Sequence, residues 1–183
     1  MGGASLLPLD MDWPENPEGG KLTFIIHLPM DFVNEALGTS YPEHYAISVF
    51  TTYHKEDYFL DRITYHGDPA ELAIIQNGYT KVIAHPIGQP RNESNFIIPA
   101  REMILSETVE GPDYIGSKMG GKPGYVQQES LSLDHLLFCL QLYGSDFGED
   151  FKDIFFLSDA VGYLFLNVLE NENDAGIFFT QCS

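Results

Sequence analysis

Two stretches of this chain repeat one pattern, and the repetition constrains the fold more than any other feature. In each stretch a pair of glycines comes first, an apolar run follows, and an Asp-Phe pair lies just beyond it. An internal repeat of this kind is typical of a duplicated supersecondary unit, whose copies bury their apolar faces together. The two copies are Gly2-Gly3, 22–28 and Asp31-Phe32, and then Gly120-Gly121, 136–142 and Asp146-Phe147.

The repeat predicts a β-rich α+β fold: two similar, mainly antiparallel half-domains that share one core, with a few short helices. We predict a single domain over 1–183, with an internal duplication into about 1–110 and 111–183. The stretch 111–124 contains five glycines and two prolines, so it is the predicted seam between the halves.

Apolar and β-branched runs bounded by glycine and proline indicate most of the strands. The predicted strands are 21–28, 45–53, 58–65, 79–84, 136–143, 154–157, 162–169 and 177–181, with short candidates at 97–98 and 103–105. We predict a helix over 31–37, capped by Asp31 and ended by Gly38. The segment 68–72 fits a helix or a strand, Trp13 is the expected anchor of an extended arm, and 171–174 is a predicted turn.

Charge is the strongest functional signal in the sequence. The net charge is −18, and the stretch 123–183 carries ten acidic residues against one basic residue. Nucleic acids and anionic membranes require Lys and Arg, so we expect neither as a partner. A basic protein would be attracted at long range. The alternative explanation is that the acidic surface only keeps the protein in solution.

If the charge serves binding, the acidic residues at the two ends of the chain are the candidates. The first twenty residues contain four carboxylates and no cation, and a second group follows the run 136–142. The predicted partner-binding residues are Asp10, Asp12, Glu15, Glu18, Asp146, Glu149, Asp150 and Asp153.

No motif in the sequence predicts a catalytic, cofactor or metal site. The stretch 116–122 fits the phosphate-binding pattern G-x-x-x-x-G-K, but Pro123 replaces the hydroxyl residue that must follow. The six histidines lie far apart without zinc-ligand spacing. Two alternatives stay open: an enzyme with a metal or acid–base site assembled from scattered histidines and carboxylates, and a peptide or small-ligand module that uses a groove between the halves.

The chain shows no signal peptide and no apolar run long enough to span a membrane, so we expect a cytoplasmic protein. Two cysteines, Cys139 and Cys182, are too few for a disulfide scaffold. The sequence does not decide the oligomeric state.

Short motifs along almost the whole chain are shared with one family. They are Gly2-Gly3, Leu7-Pro8, Trp13-Pro14, 19–24, 118–123 with Gln127, 136–142, 160–166 and 178–182. On these motifs the chain resembles the YwqG-like family, which has no established activity. It departs from the family at Leu157-Ser158-Asp159-Ala160, where the family often has a Trp-Gly-Asp element.

The resemblance implies a β-rich fold of two similar halves and no enzyme activity. Several relatives look like immunity proteins encoded beside secreted bacterial toxins. If that role applies here, the partner is a basic toxin, for which a nuclease is one candidate, because a nuclease must hold a phosphate backbone.

Overall fold

The computed structural model describes residues 1–106, 109, 114–127, 131, 133, 135–167 and 175–183. Within these ranges the chain forms two antiparallel sheets. The first has the order β1-β2-β3 and the second β4-β5-β6-β7. The strands are β1 (Thr23–Pro29), β2 (Tyr45–Thr51), β3 (Thr80–Pro86), β4 (Lys118–Met119), β5 (Leu137–Tyr143), β6 (Val161–Leu166) and β7 (Gly176–Gln181).

The two sheets repeat the same register. Phe24 pairs with Phe50 and Ile26 with Val49, so Ile25 is an extra residue that makes a β-bulge. In the second sheet Phe138 pairs with Phe165 and Leu140 with Leu164, so Cys139 is the bulged residue. The bulge therefore falls at the same step of the first meander strand in both sheets. The prediction of two similar antiparallel halves is confirmed.

Each bulge receives a hydrogen bond from the glycine pair that precedes its strand. The amide of Gly2 donates to the Ile25 carbonyl at 2.7 Å, and the amide of Gly120 donates to the Cys139 carbonyl at 2.8 Å. Both glycines have positive φ, 64° and 71°. A residue with a Cβ rarely adopts this conformation, which explains why glycine recurs in both copies.

One core joins the halves. The inward side chains of the first sheet, such as Ile47 and Val82, pack in the same buried cluster as Leu164 and Phe178 of the second. The sheets meet where β3 lies beside β7, and there the hydroxyl of Thr80 donates to the Phe178 carbonyl at 2.6 Å. The prediction of a shared core is confirmed, and β1 lies at the opposite edge of its sheet.

The outer face of each sheet is covered by a separate stretch of chain. Over the first sheet the N-terminal arm packs Leu7 and the buried Trp13 against Phe24 and Phe50. Trp13 therefore acts as the anchor that its position in the sequence predicted. Its indole N–H also donates to the Leu22 carbonyl at 2.9 Å, so the arm is fixed by a polar contact as well as by packing.

Over the second sheet the covering stretch is held mainly through Gln141, which is fully buried. Its Nε2 donates to the carbonyls of Tyr114 and Gly116 at 2.9 and 2.8 Å, and its Oε1 accepts from the Gly124 amide at 2.8 Å. The hydroxyl of Tyr163 also donates to the Gly124 carbonyl at 2.8 Å. By register, Gln141 is the equivalent of His27 in β1.

Three α-helices interrupt the first half: α1 (Met30–Leu37), α2 (Leu60–Ile63) and α3 (Pro69–Ile74). A π-helical turn over Ile75–Tyr79 follows α3, and a 3-10 turn over Gly144–Phe147 follows β5. The helix predicted over 31–37 is confirmed, but Asp31 does not cap it, because α1 begins one residue earlier, after Pro29. Asp68 caps α3 by accepting from the Ala70 amide at 2.8 Å, which settles the ambiguity of 68–72 in favour of a helix.

Two strand predictions are wrong. The segment 58–65 contains α2, and 154–157 forms turns. Both are rich in aromatic residues, and Phe59 of the first packs against Phe156 of the second. Thr64 makes an isolated bridge to Thr180 of β7, but the segment 58–65 forms no strand. The short strand candidates 97–98 and 103–105 are irregular, and the predicted turn 171–174 lies outside the described residues. Within the described ranges no helix is long and apolar enough to cross a membrane.

The Gln141 contacts generate the first testable prediction. Gln141→Leu removes the partners of two carbonyls and one amide, so we expect the free energy of unfolding to fall by about 2–4 kcal/mol. Chemical denaturation measures this change. The matched control is His27→Leu at the equivalent position, where Nδ1 has no hydrogen-bond partner and we expect a loss below about 1 kcal/mol. Equal losses in the two variants would contradict this account of how the second sheet is covered.

Candidate functional site

The four acidic residues of the N-terminal arm are all exposed. Asp12 and Glu15 line one cavity of about 460 Å³ together with Lys21 and Lys81. Glu15 is also paired with the ammonium of Lys21 at 3.0 Å. This part of the arm therefore contains opposite charges side by side, and its outward field is weaker than the sequence suggests.

Glu18, the fourth of these residues, faces a different neighbour. Its carboxylate accepts a hydrogen bond from the guanidinium of Arg62, which also donates to the hydroxyl of Tyr79 at 2.8 Å. The Arg62 hydrogen bond holds the pKa of Glu18 below its usual value. Glu18 thereby connects the N-terminal arm to Arg62 of α2, 44 positions further along the chain.

The second predicted group lies on the loop that follows β5. Asp146 accepts from the Ser117 hydroxyl at 2.6 Å, and Asp153 accepts from the Tyr53 hydroxyl at 3.0 Å. Glu149 pairs with Lys152 at 2.9 Å, and the hydrogen bond lowers the pKa of Glu149. Asp150 is exposed. Asp146 and Asp153 thus position the loop, whereas Glu149 and Asp150 project from it.

The structure links Glu18 to this loop through the segment 53–62, which the sequence analysis did not select. Tyr53 contacts Asp153, and the ammonium of Lys55 lies 5.3 Å from the Phe151 ring centroid. At the other end of the segment Arg62 binds Glu18. The segment adds three exposed carboxylates of its own, those of Glu56, Asp57 and Asp61.

We call this combined region the acidic surface. It comprises Glu18, Glu56, Asp57, Asp61, Glu149, Asp150 and Asp153. Three cations accompany these seven carboxylates: Arg62 pairs with Glu18, Lys152 pairs with Glu149, and Lys55 lies over the Phe151 ring. Of the eight predicted residues, the other four are not part of the acidic surface: Asp10, Asp12, Glu15 and Asp146. In the sequence, the two adjacent carboxylates Glu56 and Asp57 are the feature by which the segment 53–62 could have been selected.

Aromatic rings form a firm base beneath the acidic surface. The ring of Phe156 makes edge contacts with Tyr58 and Phe59 at centroid distances of 5.1 and 5.4 Å. Tyr53 packs on Phe59 and Phe151 at 5.8 Å from each. Such pairs add stability beyond the area that they bury. The carboxylates above them are therefore held on a preformed framework.

Tyr58 is the aromatic group that the acidic surface presents to solvent. Its side chain is 56% exposed, and its hydroxyl donates to the Asp61 carboxylate at 2.6 Å. Phe156 beneath it has φ 76°, a left-handed conformation that bulky residues rarely adopt. The aromatic packing holds this backbone, and with it the position of Tyr58.

The histidines, which kept an enzymatic alternative open, are dispersed. Within the described ranges no three metal-ligating side chains lie together. His66 Nδ1 lies 3.1 Å from the Glu71 carboxylate, while its buried Nε2 has no hydrogen-bond partner. The G-x-x-x-x-G-K stretch contains β4, and from Gly120 to Gln127 the chain forms no helix.

His27 and His85 lie as neighbours on the outer face of the first sheet, with ring centroids 6.0 Å apart. The Pro86 carbonyl can only accept, so His85 Nδ1 carries the proton that it donates at 2.7 Å, and Nε2 accepts from Ser48 at 2.8 Å. Burial lowers the pKa of both histidines, and that of His27 falls to about 4. Both imidazoles are therefore neutral at physiological pH.

Comparison with protein-family models, with curated proteins and with solved structures finds no match to this chain. The resemblance to the YwqG-like family therefore stays a prediction from short motifs.

The neutral histidines predict how stability depends on pH. In the unfolded chain an imidazole binds a proton near pH 6.5, whereas folded His27 does so only near 4. The unfolded state thus binds more protons in this window, so the free energy of unfolding should fall as pH falls from about 6.5 towards 4. Urea denaturation across that range measures the slope.

The matched variant is His27→Gln, which introduces the side chain found at the equivalent Gln141. It removes one of the two neutral imidazoles and leaves every carboxylate in place. We expect a shallower fall in stability than in the unchanged protein. An identical slope would contradict the conclusion that folded His27 resists protonation.

Proposed function

We propose that this protein acts by binding rather than by catalysis, and that it captures a basic partner protein through the acidic surface. The observation that carries the proposal is the exposed set of carboxylates around Tyr58, held on a rigid aromatic base. The biological role that fits best is that of a cytoplasmic immunity protein, which blocks a basic toxin such as a nuclease.

The charge supports a fast encounter with such a partner. Opposite charges on two proteins raise the association rate by about 10- to 1,000-fold at low salt. The chain carries −18 in total, so the long-range field is attractive for any basic protein. At physiological salt the Debye length is about 8 Å, so the contacts that decide specificity are those within the acidic surface itself.

The internal ion pairs divide the acidic surface into two classes of residue. Glu18 and Glu149 are already paired with Arg62 and Lys152, and a partner would have to compete for them. Glu56 and Asp150 are exposed carboxylates to which a partner's Arg or Lys has direct access. We therefore assign the main role in attraction to these two residues and to Asp57.

Tyr58 adds binding specificity, which the long-range attraction between charges does not provide. Tyrosine is enriched among the residues that dominate binding energy at protein interfaces. Its exposed ring lies among the carboxylates, and its hydroxyl is already oriented by Asp61. A preorganised aromatic group costs little conformational entropy on binding. This arrangement favours a specific complex over simple solubility, which requires no such group.

The reading frame next to this gene supplies the first partner to test. If its product is a basic protein, we expect a one-to-one complex whose association rate falls as salt is raised. The triple variant Glu56→Gln, Asp57→Asn, Asp150→Asn should lower the association rate by about tenfold at low salt and change dissociation less. Stopped-flow measurements at several salt concentrations give both rates.

The control is a second triple variant with the same change in charge, Asp31→Asn, Glu35→Gln, Glu43→Gln. These exposed residues belong to α1 and the turn after it. If both triple variants slow association equally, net charge rather than the acidic surface is responsible. If the neighbouring product is acidic or does not bind, the immunity role is wrong.

A further inference from the structure

A groove of about 440 Å³ lies beside β1, at the edge of the first sheet that no strand pairs with in the described part of the chain. We call it the edge groove. Its lining includes residues of β1, the segment 101–105, and β4 with Leu140. Its lining is mainly apolar, and its volume falls in the range of about 300–1,000 Å³ typical of binding sites.

The beginning of this gap is already occupied by extended main chain. The amide of Arg101 donates to the Met1 carbonyl at 2.9 Å, and the Met1 nitrogen donates to the Arg101 carbonyl at 2.7 Å. On the other side Gly2 donates to the Ile25 carbonyl. Met1-Gly2 therefore lies between β1 and the segment 101–105 as an inserted strand would. The edge groove continues the same gap past His27 and Pro29.

The second half shows what fills the equivalent position there. Gly120 corresponds to Gly2, since each donates to its bulge carbonyl. The residues before Gly120 form β4, which pairs antiparallel with β5 through Lys118 opposite Gln141 and Met119 opposite Leu140. The equivalent residues of β1 are His27 and Ile26. An extended segment thus covers the second edge where the edge groove lies on the first.

The side chains at the equivalent positions, Gln141 and His27, differ in how many of their polar atoms have hydrogen-bond partners. All the polar atoms of the Gln141 side chain have backbone partners, two of which, Tyr114 and Gly116, belong to the segment that leads into β4. His27 lines the edge groove, and its buried Nδ1 has no hydrogen-bond partner. A peptide group beside His27 would supply one.

From this comparison we propose that the edge groove binds an extended segment of a partner protein, which adds to β1 as β4 adds to β5. Strand addition of this kind takes its affinity from main-chain hydrogen bonds and its specificity from alternate side chains. The site is separate from the acidic surface, so the inference does not depend on the proposed function.

The walls of the edge groove define the chemistry of the segment. Ile104 and Leu105 are 78% and 62% exposed, so an apolar side chain at the inward positions would cover them. Arg101 and Lys118 line the groove together with one carboxylate, that of Glu102, in a chain with only nine Lys and Arg residues. An acidic side chain at an outward position complements this local excess of one positive charge. The expected ligand is an extended segment with alternating apolar and polar residues that include one carboxylate.

The stretch that contains β4 provides the sequence of a peptide probe. We would use a synthetic peptide with the sequence of residues 114–118 and the change Lys118→Glu. By register, Lys118 and the residues before it correspond to the edge groove, whereas Met119 and Gly120 correspond to Met1 and Gly2, which already fill the start of the gap. Titration followed by NMR should shift the amides of His27, Leu28 and residues 101–105. The peptide with the native lysine should bind more weakly. A copy with N-methylated backbone amides keeps the side chains, loses the strand hydrogen bonds, and should not bind.

On the protein side, Ile104→Ser should weaken peptide binding by about tenfold, because the exposed side chain becomes buried in the complex. The control Leu9→Ser changes an apolar side chain outside the groove that is similarly exposed, at 75%, and should leave binding unchanged.

Several results would overturn the proposal. They are the absence of shifts at these amides, equal binding of the N-methylated peptide, or stronger binding of the lysine peptide. Shifts at the same amides with decanoate but not with peptide would identify a small-molecule pocket instead. Concentration-dependent shifts without any peptide would identify a second copy of this chain as the occupant.

Discussion

Each sheet of this protein has two apolar faces, and the core between the halves can bury only one of them. Along β2, for example, Val49 faces the shared core and Phe50 faces the arm. Each outer face therefore needs its own covering stretch of chain, and a covering stretch carries backbone groups that must be paired. The glycine hydrogen bonds to the bulges, the Trp13 contact and the Gln141 network all meet this requirement. The repeated Gly-Gly pairs are where each covering stretch is attached.

Much of the architecture could be predicted because the two apolar runs and their glycines recur at the same relative positions. The two wrong strand predictions, 58–65 and 154–157, have one cause in common. The segments around Phe59 and Phe155 have the composition of strands, but their aromatic rings pack against each other across loops. Strand propensity reports a side chain that fits a half-buried surface, and a ring cluster offers such a surface without a ladder. Only the tertiary arrangement distinguishes the two.

The acidic residues show a different limit of sequence reasoning. Composition identified the charge, but it could not tell that Glu18 is bound by Arg62, which lies 44 positions away along the chain. It also grouped carboxylates by stretches of sequence, so it selected Asp10 and Asp12 and missed Glu56, Asp57 and Asp61. Whether a carboxylate attracts a partner or satisfies a neighbour depends on contacts between distant segments. Such contacts have no local pattern in this chain.

The differences between the two halves carry more functional information than their likeness. Gln141 and His27 occupy the same position in the register, yet one is saturated with backbone partners and the other has a buried nitrogen without one. The first edge is lined by exposed apolar side chains, while the second is covered by β4. If the repeat served stability alone, both edges would be expected to close in the same way, since an uncovered edge is a liability. The edge beside β1 is therefore the position at which the two otherwise similar halves differ, since no strand in the described residues covers it.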